Sequence, residues 1–157
     1  MRIIANTLAG IMMLLVAVPS AFAQIATSTT RAVPAAGVLR VRVINLRDST
    51  GQVICTLFNS PKGFPSDSGR AVEQRAVPIK ADVAVCGFDG LVPGKYALVI
   101  FHDENSNGEF DRNWLGFPKE GYAFSNNVKP VFSPPSFNAA AFDYAGGDQD
   151  LTVVIRY

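Results

Sequence analysis

The run His102-Asp-Glu-Asn-Ser-Asn-Gly-Glu-Phe-Asp111 sets oxygen-bearing side chains at alternate positions around a glycine. A short loop wraps a calcium ion in this way, because Ca²⁺ takes six to eight hard oxygen ligands that only a tightly coiled segment can converge. With Asp103 as position one, Asn105 falls at three, Asn107 at five, Gly108 at six, apolar Phe110 at eight and Asp111 at nine. Position twelve, where an EF-hand supplies a bidentate Glu, is Trp114. The preceding Tyr96-Ala-Leu-Val-Ile-Phe101 is short, apolar and partly β-branched, so it reads as a strand and not as the entering helix of an EF-hand. The expectation is a strand-borne acidic loop. Asp103, Asn105, Asn107 and Asp111 are its candidate Ca²⁺ ligands, and the remaining ones are left to Glu120, Asn126, a backbone carbonyl or water. Two firm carboxylates imply weak affinity, suited to extracellular calcium. The competing reading is a long Asx-rich turn after a strand.

Other chemistries find less material. His102 is the single histidine, so neither a nucleophile–histidine pair with an orienting acid nor a zinc site free of cysteine is readily assembled. Glu109 with Asp111, or Glu104 with Glu120, is a carboxylate pair of the kind glycosidases use, but sequence sets no distance between them. Glycine-rich phosphate loops, heptads and basic patches are absent. A non-enzymatic protein is expected, with a hydrolase using His102 and a nearby carboxylate as an alternative.

Beside the acidic loop, Asn113 to Asn127 concentrates Trp114, Phe117, Tyr122 and Phe124 among Glu120, Ser125, Asn126 and Asn127. Rings that stack and amides that orient are the materials of a carbohydrate- or peptide-binding groove. His102, Trp114, Glu120, Tyr122, Asn126 and Asn127 are therefore the candidate ligand surface. The alternative is that the aromatics form the loop's own core.

The compartment is legible at the N-terminus. Arg2, the apolar run Ile11–Val18 and the Ala21-Phe-Ala23 cleavage signal mark residues 1–23 as a secretory signal peptide. The apolar run is shorter than the roughly 20 residues that span a bilayer. A periplasmic or secreted protein is expected. Removal of 23 of the 157 residues leaves 134, enough for one domain with a real core, and 13 basic residues then balance 13 acidic ones. That balance indicates recruitment of neither nucleic acid nor anionic lipid. Cys55 and Cys86 both lie in the exported part, where one disulfide is expected; it would close about thirty residues and stabilise by about 3 kcal/mol. Two separate buried thiols are the alternative.

Residues 24–37, rich in Thr, Ser, Ala and Pro, read as a flexible leader, and residues 38–157 as the folded domain. Val38–Leu46 alternates, Asp48–Gly51 turns and Gln52–Phe58 returns, which predicts a β-hairpin. A helical turn is weakly signalled at Gly69–Gln74. Ile79–Phe88 and Lys95–Phe101 are the third and fourth strands. Pro135–Ala141 is expected to hold one helical turn, with Ala140–Tyr144 and Leu151–Tyr157 as further strands. The fold class is all-β: a single antiparallel β-sandwich of about seven strands with one long structured loop at one pole.

Several segments also resemble the exported bacterial family called domain of unknown function 2141. They are Gly51-Gln-Val…Leu-Phe-Asn-Ser60, Leu91-Val-Pro-Gly-Lys-Tyr-Ala97, His102–Gly108, Leu115–Asn127 and Pro134-Pro-Ser-Phe…Ala141-Phe142. Ala123 stands where the family pattern commonly has Gly before Phe-Ser-Asn-Asn. The resemblance brings no established activity. It implies an exported, prealbumin-like (transthyretin-like) sandwich, also similar to carboxypeptidase-regulatory-like modules. The hydroxyisourate hydrolases of that architecture use several histidines and end in Tyr-Arg-Gly-Ser, whereas this chain has one histidine and ends in Val-Ile-Arg-Tyr. The functional expectation is an exported binding or accessory module whose pole meets a carbohydrate, peptide or envelope protein. A purely structural envelope protein is the alternative.

Overall fold

The computed structural model describes residues 37–157. The expected signal peptide, and all of the leader except Gly37, lie outside the described residues. Eight strands and one α-helical turn follow in the order β1 (Leu39–Ile44), β2 (Gln52–Phe58), β3 (Glu73–Pro78), β4 (Ala84–Phe88), β5 (Gly94–Asp103), β6 (Tyr122–Phe124), α1 (Phe137–Ala140), β7 (Phe142–Tyr144) and β8 (Gln149–Val154). They form a three-stranded sheet, β4-β1-β8, and a five-stranded one, β3-β2-β5, in which β6 and β7 share the far edge of β5. The fold is mostly β and sandwich-like.

The burial patterns explain the layering. β1 alternates strictly, with Leu39, Val41 and Val43 inward and Arg40 and Arg42 outward, as a strand with one solvated face must. In β2 every residue from Val53 to Phe58 is buried. Val53, Cys55 and Leu57 join Leu39, Val41, Val43, Leu98 and Ile100 in the core between the sheets. Phe58, with Ala97 of β5 and Phe124 of β6, packs on the outer face against Phe137 and Phe64. The five-stranded sheet is thus covered on both faces. Cys55 of β2 and Cys86 of β4 form the expected disulfide, Cα–Cα 6.6 Å, which joins the two sheets across the core. Their separation of 31 residues corresponds to about 3–4 kcal/mol on the loop-entropy model.

Several expectations are corrected. β1 and β2 are not a hairpin: β1 lies between β4, antiparallel, and β8, parallel, while β2 lies between β3 and β5. The Asp48–Gly51 turn carries the chain from one sheet to the other. Two neighbouring strands with complementary patterns satisfy local rules equally well in one sheet or in two. The purely antiparallel arrangement gives way with the β1–β8 pair, and the described residues hold eight strands where about seven are expected. Ile79–Phe88 is interrupted, since Ala81 and Asp82 take positive φ in a tight turn closed by the Lys80–Val83 bridge, and β4 begins only at Ala84. The weak helical signal at Gly69–Gln74 yields a 3₁₀ turn at Ser68–Arg70, capped by Asp67, and then strand β3. The helical turn expected at Pro135–Ala141 is α1, with Ser136 accepting from Ala139 N–H.

Candidate functional site

β5 runs ten residues and delivers His102 and Asp103 to one pole of the sheet, where both are fully buried. Asp103 accepts from the backbone N–H groups of Asn107 (3.1 Å) and Gly108 (2.9 Å) and from Gln52 Nε2 (2.8 Å). Gly108 has φ +80°, which permits the coil that brings these amides back. Glu120, almost fully buried, closes the loop from the other side: one oxygen accepts from Glu104 N–H and the other from Asp111 N–H, each at 3.0 Å. Two interior carboxyl groups are thereby solvated by four backbone amides. Buried acids persist when hydrogen bonds replace lost water in this way.

The four expected calcium ligands are brought together. Asn105 and Asn107 direct their Nδ2 groups at Asp111, at 2.9 and 3.3 Å. Their Oδ1 atoms accept from the N–H groups of Asn107 and Glu109, which fixes the amide orientation. An ion among them would require both amides to turn their oxygens inward. Among the described residues no group of three or more His, Cys, Asp or Glu side chains is placed to hold a metal. As placed, both amides turn their nitrogens toward Asp111, and each candidate oxygen accepts an N–H group while keeping a second lone pair.

His102 does not lie on a ligand surface. Its Nε2 is 2.7 Å from the Thr50 carbonyl, which can only accept, so Nε2 carries the proton. Nδ1 then accepts from the Tyr157 hydroxyl at 2.7 Å, and the Tyr157 oxygen accepts from Arg47 N–H at 3.0 Å. Arg47 lies over the Tyr157 ring and pairs with Glu104. That hydrogen bond to Glu104 raises the arginine further above its ordinary range. Burial raises the Tyr157 phenol, and the Thr50 N–H lowers the Asp48 carboxyl. Gly121, between Glu120 and Tyr122, has no room for a Cβ beneath Tyr157 and Ile155, so the Glu-Gly-Tyr sequence is a packing requirement.

The Phe-Ser-Asn-Asn run is a clasp. Ser125 Oγ accepts from Leu98 N–H of β5 at 2.8 Å and donates to Ala140 C=O at 2.6 Å. Asn126 Nδ2 donates to Ala141 C=O at 2.8 Å. Asn127 donates to Thr152 C=O and accepts from Val154 N–H, pairing with the edge of β8 as a neighbouring strand would. Asn126 and Asn127 both take positive φ, which asparagine tolerates better than most residues. Their amides face the protein. Of the six candidate ligand-surface residues, His102 and Glu120 are interior and Asn126 and Asn127 are structural. Trp114 and Tyr122 remain.

These two belong to features that the sequence reading missed in part. A chain of rings crosses the outer face of the five-stranded sheet, Phe101–Phe110–Tyr122–Phe124–Phe64, with centroids 5.4–6.2 Å apart. Phe110, the apolar position eight of the acidic loop, pins that loop to the sheet. Over the rings lies a groove of about 440 Å³, which also contacts Thr56, Gln74, Val99 and Arg112. Gln74 Nε2 donates to Thr56 Oγ1, leaving the amide oxygen and the hydroxyl proton for a ligand. The missed signal was that β2 and β5 are apolar on both faces, so their second face also needs cover. Trp114 stands apart, 90% exposed on a neighbouring loop.

The family described as uncharacterized protein conserved in bacteria (DUF2141) matches residues 41–152. Among the curated proteins and among the solved structures nothing matches the chain.

Proposed function

The chain belongs to that bacterial family, whose description assigns no activity, and we propose that it is an exported, non-enzymatic binding module that holds an apolar peptide segment in the groove over β2, β5 and β6. The observation that carries this reading is the groove itself. Its volume is within the range of ligand pockets, its floor is aromatic, and Thr56, Gln74 and Arg112 supply a few convergent polar groups. Side chains of a peptide would pack on Tyr122 and Phe124 while its backbone met Gln74 and Thr56. The non-enzymatic part is supported by the engagement of both nitrogens of His102 and both oxygens of Glu120 within the fold. Export rests on residues 1–23. We also infer a prealbumin-like sandwich, supported by the two facing sheets and their shared core.

Amide NMR spectra of the labelled protein, titrated with an apolar peptide library and with a sugar panel, test the proposal. Peptide-induced shifts at Val99, Tyr122 and Gln74 that vanish in Val99→Trp support it. Shifts from sugars alone would replace peptide by carbohydrate, and an unperturbed groove with every ligand would remove the proposal.

Calcium is a second reading, favoured by the convergence of Asp103, Asn105, Asn107 and Asp111. Binding to the folded state raises stability by mass action, so a melting temperature that climbs with millimolar calcium, and no longer does so in Asp111→Ala, would establish it.

A further inference from the structure

Two neighbouring loops carry five of the exposed large apolar side chains of the described residues, including the three most exposed. Trp114, Leu115 and Phe117 stand on the first, and Val131 and fully exposed Phe132 on the second. Both loops wall one cleft of about 310 Å³, so their tips form a single surface. The first loop is built rather than loose. Asn113 N–H donates to Phe117 C=O and Gly116 N–H to Asn113 C=O, each at 2.8 Å, while Asn113 Oδ1 accepts from Leu115 and Phe117 N–H at 3.0 Å. Arg112 bridges to Pro118 and donates to Gly116 C=O. Polar groups are thus satisfied inside the turn while all three large apolar side chains point out, the reverse of what water favours.

Within these two loops the charges have one sign, and the half-buried Asp111 adjoins Arg112. Residues 112–119 and 128–135 contain Arg112, Lys119 and Lys129 and no Asp or Glu. None of these three cations takes part in the ion pairs found among the described residues. Glu109, the nearest exposed acid in sequence, lines the other groove.

We propose that these two loops dock the protein on an anionic lipid bilayer, with Trp114, Leu115, Phe117, Val131 and Phe132 entering the headgroup–acyl boundary and Arg112, Lys119 and Lys129 meeting lipid phosphates. A protein partner would be expected to bury such anchors in pockets under a mixed-charge rim. Protruding rings on loops whose only charged residues are cations suit a fluid, negatively charged surface.

Trp114 is the only tryptophan of the chain, so its emission reports this loop alone, whatever residues 1–36 do at a membrane. The full chain is titrated with vesicles of phosphatidylglycerol and phosphatidylcholine in equal parts, and with phosphatidylcholine alone. The expected result is a blue shift and protection from acrylamide with the anionic vesicles, weakened by high salt. Replacing Lys119 or Lys129 by Gln should weaken binding about fivefold each, and Phe132→Ser should weaken it at least about tenfold. Circular dichroism of these variants should match wild type, since Lys119, Lys129 and Phe132 are exposed and make no side-chain hydrogen bond among the described residues. Unchanged emission with anionic vesicles would overturn the proposal and return the surface to a protein partner. An equal shift with phosphatidylcholine alone would overturn the anionic specificity. A shift that grows with protein concentration in the absence of lipid would identify a second copy of the chain as the occupant instead.

Discussion

The two loops that follow β5 make opposite use of their side chains. In the acidic loop, residues 103–111, the most polar groups turn inward: Asp103 reaches the end of the sheet, and Glu120 clamps both ends of the loop by backbone amides. In the tip at residues 112–118 the polar groups satisfy one another within the turn, and the large apolar side chains face out. The first loop reads as a site and is also a joint. The second, whose Trp114 the sequence already marks as a candidate ligand contact, holds the surface with unsatisfied apolar area. Residue type alone does not separate site from scaffold; the direction in which each group is satisfied does.

The sharpest way to break this contrast is at the clamp. Glu120→Ala removes two hydrogen bonds to a buried carboxyl and is expected to lower unfolding stability by about 3–5 kcal/mol, measured by urea denaturation. A loss below about 1 kcal/mol would mean that the loop stands without its brace. Tyr157→Phe should cost about 1–2 kcal/mol, because His102 Nδ1 loses its donor and Arg47 N–H its acceptor. Amide exchange near Thr50 and His102 should quicken with it. The same hydroxyl gives a pH signature. Burial raises the Tyr157 pKa above 10.0, so the folded state holds this proton more tightly than the unfolded one. The associated stability is fully present below the ordinary tyrosine value and is lost as pH rises through the raised one. Alkaline melts of wild type should fall more steeply than those of Tyr157→Phe, and parallel curves would contradict the assignment. Smallest of all, Trp114→Ser combined with Phe132→Ser should change stability by no more than about 0.5 kcal/mol. A larger loss would show that the exposed tip is part of the core after all.

Much of the fold was legible because its signals are local. The Cys55–Cys86 bridge, the alternation of β1, the position of β5 and the helical turn after Pro135 follow from composition and period. Strand partners were not, since the β1–β4 and β1–β8 ladders are long-range choices that the Asp48–Gly51 turn does not encode. β3 escaped notice because Glu-Gln-Arg-Ala-Val-Pro has the charges and terminal proline of an edge strand and few of the residues that mark a central one. The placement of the candidate site residues was hidden for a related reason. His102, Glu120, Asn126 and Asn127 are chemically versatile, and only the burial of the first two and the hydrogen-bond partners of all four show how the fold engages them.

The Asn127 amide has a consequence beyond its own two hydrogen bonds. β8 has β1 on one side, and on the other Thr152 C=O and Val154 N–H are covered by a single side chain. A sheet margin closed by a strand reopens only when that strand leaves, whereas this one reopens with one rotamer change, exposing a short template to which another chain could add. Asn127→Ala is therefore expected to self-associate at concentrations where the wild-type chain stays dispersed, as light scattering would record.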